Sequence, residues 1–579
     1  MSVRLAKTNA RGLIGILILT GVWIAPASAL PRYGPFQVSG NVSAQQLIRF
    51  NPDITHYALV QQRNTLKLRL DYDMLDQGKL LNQIDIPFVD RMKLFLLYRG
   101  VYDSVYDSTP GFEQKDIYGN PIGLRLDSLN SGLRDSIKFS NDLREAYIDV
   151  GFKSIPLSLR LGRQQIVWGE TDNFRLLDRV NALDLTWHLQ QESWDELRIP
   201  YWMIKGLWNF GSLGPLSNAF LEFYWNPGDW YPAKRTFLPR PWSAPITDPI
   251  PTIVNAFNTL GASQINGTLY NGTVLFRQGD YTRNPMDNSQ AGVRFSAVTP
   301  QGLQFTLNYF YQRWAGDDGT NAASFAAILN RADANAAIKR GQIPLEAIAP
   351  YVHAAGFSLN YAEEEYTQSV FRMESIYEFG VPFSDSTKPS PIGLLKSDVF
   401  GVSKRDMWKG MLAFDRPTWI RPLNRNSTFL VLGQFFWHYL LDNPNILCKN
   451  PADPATCGSD RNPQIKGFRG EFSSSGFTSG GQPFIDKVRD WEVLTTLAAT
   501  TFYRGGKIVP LVVYILDPVN SYNMELLWSV DYFVTNSIIL NLGQRYFINT
   551  TSRPVFESWG VAGINRGRSE TQVRLTYQF

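Results

Sequence analysis

Apolar and polar side chains take turns along most of this chain. Between residues 63 and 73, Leu66, Leu68, Leu70 and Tyr72 alternate with Thr65, Lys67, Arg69 and Asp71. Successive side chains of an extended strand point to opposite faces, so this period predicts a strand that is apolar on one face and polar on the other. Segments with the same period recur near 35–45, 63–73, 91–101, 143–152, 157–167, 200–210, 218–226, 290–298, 303–313, 353–361, 366–378, 406–415, 427–439, 489–502, 508–516, 523–534, 537–547 and 569–579. They amount to roughly 18 strands (16 to 18). A soluble sandwich strand shows the same alternation. The connections separate the two architectures. From the third strand onward, short ones (153–156, 299–302, 363–365, 504–507, 535–536) mostly alternate with long ones (102–142, 168–199, 227–289, 314–352, 440–489). Short turns at one rim and long loops at the other are what a membrane barrel requires, and a sandwich has no reason to sustain them. The expectation is all-β: a transmembrane antiparallel β-barrel with short periplasmic turns and long extracellular loops, in a single domain from 30 to 579.

The final stretch, Ser569 to Phe579, reads S-E-T-Q-V-R-L-T-Y-Q-F. Val573, Leu575, Tyr577 and Phe579 share one face, and the chain ends on an aromatic residue. The stretch resembles the closing strand of bacterial outer-membrane barrels, which implies recognition of these four residues by the barrel-assembly machinery. At the other end, Arg4, Lys7 and Arg11 precede an apolar run from Leu13 to Ile24 and the small-x-small site Ala27-Ser28-Ala29. That order predicts a signal peptide over 1–29. The run is short of the ~20 residues a spanning helix needs, and no later run of 18 apolar residues exists. Only about five residues then separate cleavage from the first strand, too few for a plug domain.

Charge is nearly balanced, with 56 Lys+Arg against 52 Asp+Glu, so nucleic acid is not suggested as a partner. Aromatics reach 13%, which suits the girdles of a barrel facing outer-membrane lipid and equally suits a sugar-binding protein. Cys448 and Cys457 bracket a short segment. In an oxidising compartment they are expected to form a disulfide across a loop tip, worth roughly 2–3 kcal/mol. The four histidines, His56, His188, His353 and His438, are scattered, and each is expected to line the lumen or a loop. No His-based metal cluster, catalytic motif or cofactor is expected. Glu363-Glu364-Glu365 is expected to be a solvated turn. Among the long loops, Ser324 to Ile348 is Ala-rich and reads as a short interrupted helix. Asn266-Gly267 and Asn271-Gly272 are hairpin-turn signals.

One stretch breaks the alternation. After Leu157 to Leu161 comes G-R-Q-Q-I-V-W-G-E at Gly162 to Glu170, then Asp172, Arg175, Asp178, Arg179 and Asp184 within one loop. Arg163, Gln165, Trp168, Glu170, Asp172, Arg175, Asp178 and Arg179 are the candidates for a pore constriction, where both signs of charge would set a transverse field. An ion-pair network fastening the loop to the wall fits these residues equally well. The loop carries more acids than bases, which predicts a weak preference for neutral or cationic solutes.

The same string, with D-R-V-N-A-L-D at Asp178 to Asp184, R-I-P at Arg198 to Pro200 and D-N-S-Q-A-G-V-R at Asp287 to Arg294, resembles a family of Gram-negative outer-membrane proteins catalogued as domain of unknown function 1302. The resemblance implies a porin-like barrel and passage of poorly soluble organic compounds; it implies no catalytic residues. The functional expectation is a non-enzymatic outer-membrane channel for passive diffusion or uptake of small organic molecules, narrowed by an inward-folded loop around 168–199. Two other readings stand beside it: a barrel sheathing a periplasmic partner such as an electron carrier, and a surface protein binding through its long loops. Monomer and homotrimer fit alike.

Overall fold

The computed structural model describes residues 34–579 apart from 51–55, 116–120, 231–238, most of 243–284, most of 316–349, 386–401, most of 442–490, 551–564 and a few isolated positions. Eighteen strands form its wall: β1 (Phe36–Phe50), β2 (Tyr57–Asp73), β3 (Val89–Asp103), β4 (Phe139–Phe152), β5 (Leu157–Gln164), β6 (Tyr201–Leu213), β7 (Leu216–Asn226), β8 (Gln290–Val298), β9 (Gln304–Arg313), β10 (Tyr351–Glu363), β11 (Ser369–Asp385), β12 (Val402–Thr418), β13 (Phe429–Leu440), β14 (Trp491–Thr500), β15 (Ile508–Asp517), β16 (Asn523–Phe533), β17 (Ile538–Asn549) and β18 (Glu570–Gln578). Each pairs antiparallel with the next in the chain. β18 then pairs with β1, from Asn41 opposite Gln578 to Arg49 opposite Glu570. The sheet is a closed barrel and has no free edge. Gly40 and Phe579 exchange both backbone hydrogen bonds, at 2.9 and 3.0 Å, so the C-terminal residue itself completes the seam.

The wall is turned inside out relative to a soluble protein. On β9, Leu307, Tyr309 and Tyr311 are 55, 42 and 38% exposed, whereas Thr306, Asn308 and Gln312 are 2, 5 and 2% exposed. The alternation seen in the sequence places apolar side chains on the outside and polar ones within. Only lipid outside makes that arrangement favourable, because the strands bond all their own backbone groups and expose hydrocarbon. At one rim, aromatic rings gather on the outer surface: Tyr311 stacks on Tyr351 at 4.7 Å, and Trp491 packs against Tyr439 at 4.5 Å. His353 belongs to this outer cluster. Its Nδ1 lies 2.6 Å from the Tyr309 hydroxyl, so the expectation that it faces the lumen or a loop is corrected. Strict alternation from Tyr309 and Tyr311, its neighbours across the pair, dictates the outward side.

Three further expectations concern loops. At the ends of the Ala-rich segment, Phe325–Ala327 and Leu345–Ala347 form an antiparallel ladder instead of a helix; residues between them lie outside the described set. Asn266-Gly267 and Asn271-Gly272 also lie outside the described residues. Cys448 stands opposite Cys457 in a two-residue ladder, while their side chains are outside the described set. The turn after β10 is organised by Glu363, whose carboxylate accepts the backbone N–H groups of Glu365, Tyr366 and Thr367.

Candidate functional site

The segment 165–200, between β5 and β6, contains no long strand. Its two limbs meet at a bridge between Leu183 and Arg198. Asn181 holds them together: its Nδ2 donates to the Ile199 carbonyl at 2.8 Å and its Oδ1 accepts the Ile166 N–H at 2.8 Å. A fully buried amide satisfying backbone of both limbs offsets the cost of leaving regular structure. Gly169 permits the fold to close, since a Cβ there would lie 2.6 Å from the Asp178 nitrogen.

The segment is fastened to inward-facing side chains on two sides of the barrel. On β2 and β3, Glu196 pairs with Lys67 and with Arg99, the latter at 2.9 Å. Glu192 pairs with Arg63, and Trp187 lies under the guanidinium groups of Arg63 and Arg99 at 5.1 and 4.3 Å. On β11, Glu374 accepts the backbone N–H groups of Glu170 and Leu177. Arg179 pairs with Glu378, which Lys409 of β12 also meets. Arg372 bonds the Glu170 carbonyl and reaches Asp172 at 2.8 Å and Asp415 at 2.7 Å. Of eighteen strands, β11 stands nine away from β2, which is half the circumference. A third fixing joins the seam. His188 bonds Glu570 of β18 at 2.8 Å, and Glu570 in turn takes Arg49 of β1 at 2.6 Å.

Apolar packing reinforces the polar fixings. Ile166, Trp168, Leu177, Val180, Ala182 and Ile199 are buried in one cluster with Tyr224 of β7, Phe310 of β9, Ala354 of β10 and Ile376 of β11. Trp168 lies 5.3 Å from Tyr224 and 5.2 Å from Phe310, ring to ring. Gly356 of β10 leaves space for Leu177, whose Cδ2 would be 2.7 Å from an added Cβ. Electrostatically, burial alone would raise the Glu196 carboxyl; the Lys67 and Arg99 charges overcome this and hold it down at about 2. It stays ionised at any physiological pH.

A family model described as "Protein of unknown function (DUF1302)" matches residues 59–579. The chain belongs to this family. No curated protein matches it. Among solved structures it is similar to OccAB1 of Acinetobacter baumannii, at 8% identity and a TM-score of 0.41, covering 95% of this chain and 98% of that one. It is also similar to the outer membrane protein OpdK of Pseudomonas aeruginosa, at 6% identity and 0.39, covering 94% and 99%. A BenF-like porin of Pseudomonas fluorescens Pf-5 follows at 7% identity and 0.39, covering 94% and 98%.

In this DUF1302 barrel the sequence-predicted site residues play distinct parts. Arg163 sits in the wall on β5, bonding Asp142 of β4 at 3.1 Å. Gln165 donates to the Asp195 carbonyl at 3.1 Å. Trp168 and Asp178 are 1 and 3% exposed and hold the segment from within. Asp178 takes Arg198 at 2.6 Å and Arg175 at 3.3 Å. Arg179 is tied to β11, and Glu170 is bonded by Asn360 of β10. Asp172 and Asp195 keep open surface, with side chains 47 and 82% exposed. The residues that sequence reasoning missed are those receiving the segment: Lys67, Arg99, Arg372, Glu374, Glu378 and Glu570. Each is a charged residue at an inward strand position, and that was the available signal. The cations among them, with Arg63, also answer the excess of acids in the loop, pairing with three of its acids, Glu192, Glu196 and Asp172.

Proposed function

We propose that the protein is an outer-membrane channel through which small organic solutes diffuse passively, with the segment around 168–199 narrowing the pore. One observation carries the reading: a polar-lined barrel has an internal segment tied to β2 and β3 at one side and to β11, half-way round, at the other. An 18-strand barrel is too wide for wall side chains to fill, so a segment lying across it divides the lumen and sets the passage size. Asp172 and Asp195 are its most open charges, which favours neutral or cationic solutes. A sheath for a folded partner needs the width that this segment occupies. Export through residues 1–29, recognition of Val573, Leu575, Tyr577 and Phe579 by the assembly machinery, and a Cys448–Cys457 bridge belong to the same proposal.

The test is conductance of the purified barrel in a planar bilayer together with solute uptake into proteoliposomes. Steady, solute-permeable conductance is expected, with ion selectivity altered by Asp172→Asn and Asp195→Asn. A barrel that is silent and impermeable to every small solute would overturn the reading.

A further inference from the structure

Beside the fixing on β2 and β3, and sharing Arg63 and Trp187 with it, lies a second feature. The start of β2, the end of β3, the short helix α1 (Val105–Ser108), residues 137–140 at the start of β4 and two loop pieces enclose a cavity of ≈ 100 Å³ lined by both polar and aromatic side chains. That is room for roughly seven or more waters at the ~10–15 Å³ each requires. Tyr106 of α1, Trp187 of the inward segment and Trp242 of the β7–β8 connection supply ring surfaces. Trp242 is itself pinned: Arg49 holds its carbonyl at 2.9 Å, and His188 stacks on its ring at 5.4 Å.

The donors in this cavity are not all used. Arg63 is 6% exposed, and its Nη2 meets Glu192, yet its Nε and Nη1 have no hydrogen-bond acceptor. A buried guanidinium with unanswered N–H groups costs stability, so its retention points to an acceptor that arrives from outside the chain. The carboxylates nearby are engaged by the backbone. Asp103 accepts the N–H groups of Gln62 at 3.0 Å and Val105 at 3.2 Å, and Asp184 accepts the N–H of Thr186 at 3.1 Å. Cations lining the space, Arg63, Lys138 and Arg240, outnumber the carboxylates Asp103 and Asp184 by three to two. Burial pushes the Tyr106 hydroxyl up to about 12, so it keeps its proton at neutral pH.

We propose that this cavity is a binding site for a small aromatic carboxylate, the carboxylate accepting from Arg63 and the ring lying among Tyr106, Trp187 and Trp242. A carboxylate matches the chemistry because it accepts without donating and carries the charge that the lining favours. An aromatic body matches the walls and the volume. The site stands at the end of the barrel where the long connections lie, ahead of the inward segment, and Trp187 and Asp184 belong to that segment. The inference does not depend on conduction, since a barrel that passes nothing can still bind.

The experiment is isothermal titration of the detergent-solubilised full-length protein with sodium benzoate, benzamide and benzylamine. Benzoate is expected to bind at one site, benzamide at least about tenfold more weakly, and benzylamine not at all. Arg63→Gln removes the charge and is expected to weaken benzoate at least about tenfold. Val101→Trp fills the space without touching that charge and is expected to abolish binding. Heat-modifiable migration on gels checks that both variants are folded, and Val101→Trp carries the test where Arg63→Gln is not. No heat with benzoate up to about 10 mM, equal binding of benzamide, or undiminished binding in Val101→Trp would each overturn the proposal.

Discussion

Trp168 shows how one side chain decides the state of a whole segment. It is buried between Tyr224 of β7 and Phe310 of β9. Trp168→Ala removes about 3–5 kcal/mol of packing at such a site. Because the loss falls on the inward segment and leaves the strand ladders intact, single-channel conductance in a planar bilayer is expected to rise while the barrel still resists unfolding in cold detergent. Glu374→Gln is a finer version. The carboxylate accepts two backbone N–H groups, from Glu170 and Leu177, with one oxygen each. An amide offers a single acceptor and sets an N–H against the other donor, at a cost of about 1–3 kcal/mol. Conductance is expected to become noisier, with brief larger openings. The string Gly162 to Glu170 advertised the segment in the sequence, since its polar residues fall where alternation should continue. Glu374 was not legible there. A lone acid at an inward strand position looks like any lumen residue, and only the fold shows that residues 204 and 197 positions earlier lie against it.

At the scale of elements, the strands were readable and the loops were not, for one physical reason. A strand's environment is set by its own period of two, because its faces meet lipid and lumen whatever its partner. All eighteen predicted segments overlap a strand of the wall. A loop's conformation depends on what it rests on, and the inward segment rests on strands as remote in sequence as β2, β11 and β18. At the two ends of the Ala-rich stretch, Phe325–Ala327 and Leu345–Ala347 pair in a ladder that local preference did not announce. The fixing of the segment to β2 and β3 carries a pH dependence. Glu196 has a folded pKa near 2 against an ordinary 4.5. A lowered carboxyl pKa contributes stability that is complete above the ordinary value and is lost as the pH falls towards the folded one. Conductance is therefore expected to be flat from neutrality down to about pH 5 and to rise between about 4.5 and 2 as the fixing weakens. The Glu196→Gln variant, measured over the same range, is expected to start from the raised level and to lack this step.

For the molecule as a whole, the decisive property is the polarity of its two surfaces, and it yields the most direct test of the architecture. β17 presents Leu542 outward, 43% exposed and in register with Val573 and Val530, while the adjacent Asn541 is 7% exposed and bonds Asp531 at 2.7 Å inside. In a soluble sheet the exposed leucine would be the tolerant position and the buried asparagine the sensitive one. In a lipid-embedded wall the order reverses for charge. Leu542→Arg places a guanidinium in hydrocarbon, a cost of about 2–4 kcal/mol near the bilayer midplane, falling towards the interfaces. Asn541→Arg on the same strand, which places its charge on the inner face beside Asp531, is the internal comparison for register and strand propensity. Reversible unfolding by guanidinium in phospholipid vesicles reads both. Leu542→Arg is expected to lower stability by the full amount in vesicles and far less in detergent micelles, whose soft boundary lets the charge reach water. An equal effect in the two media would mean that Leu542 does not face the bilayer core, and the placement of the apolar belt around this wall would have to be redrawn.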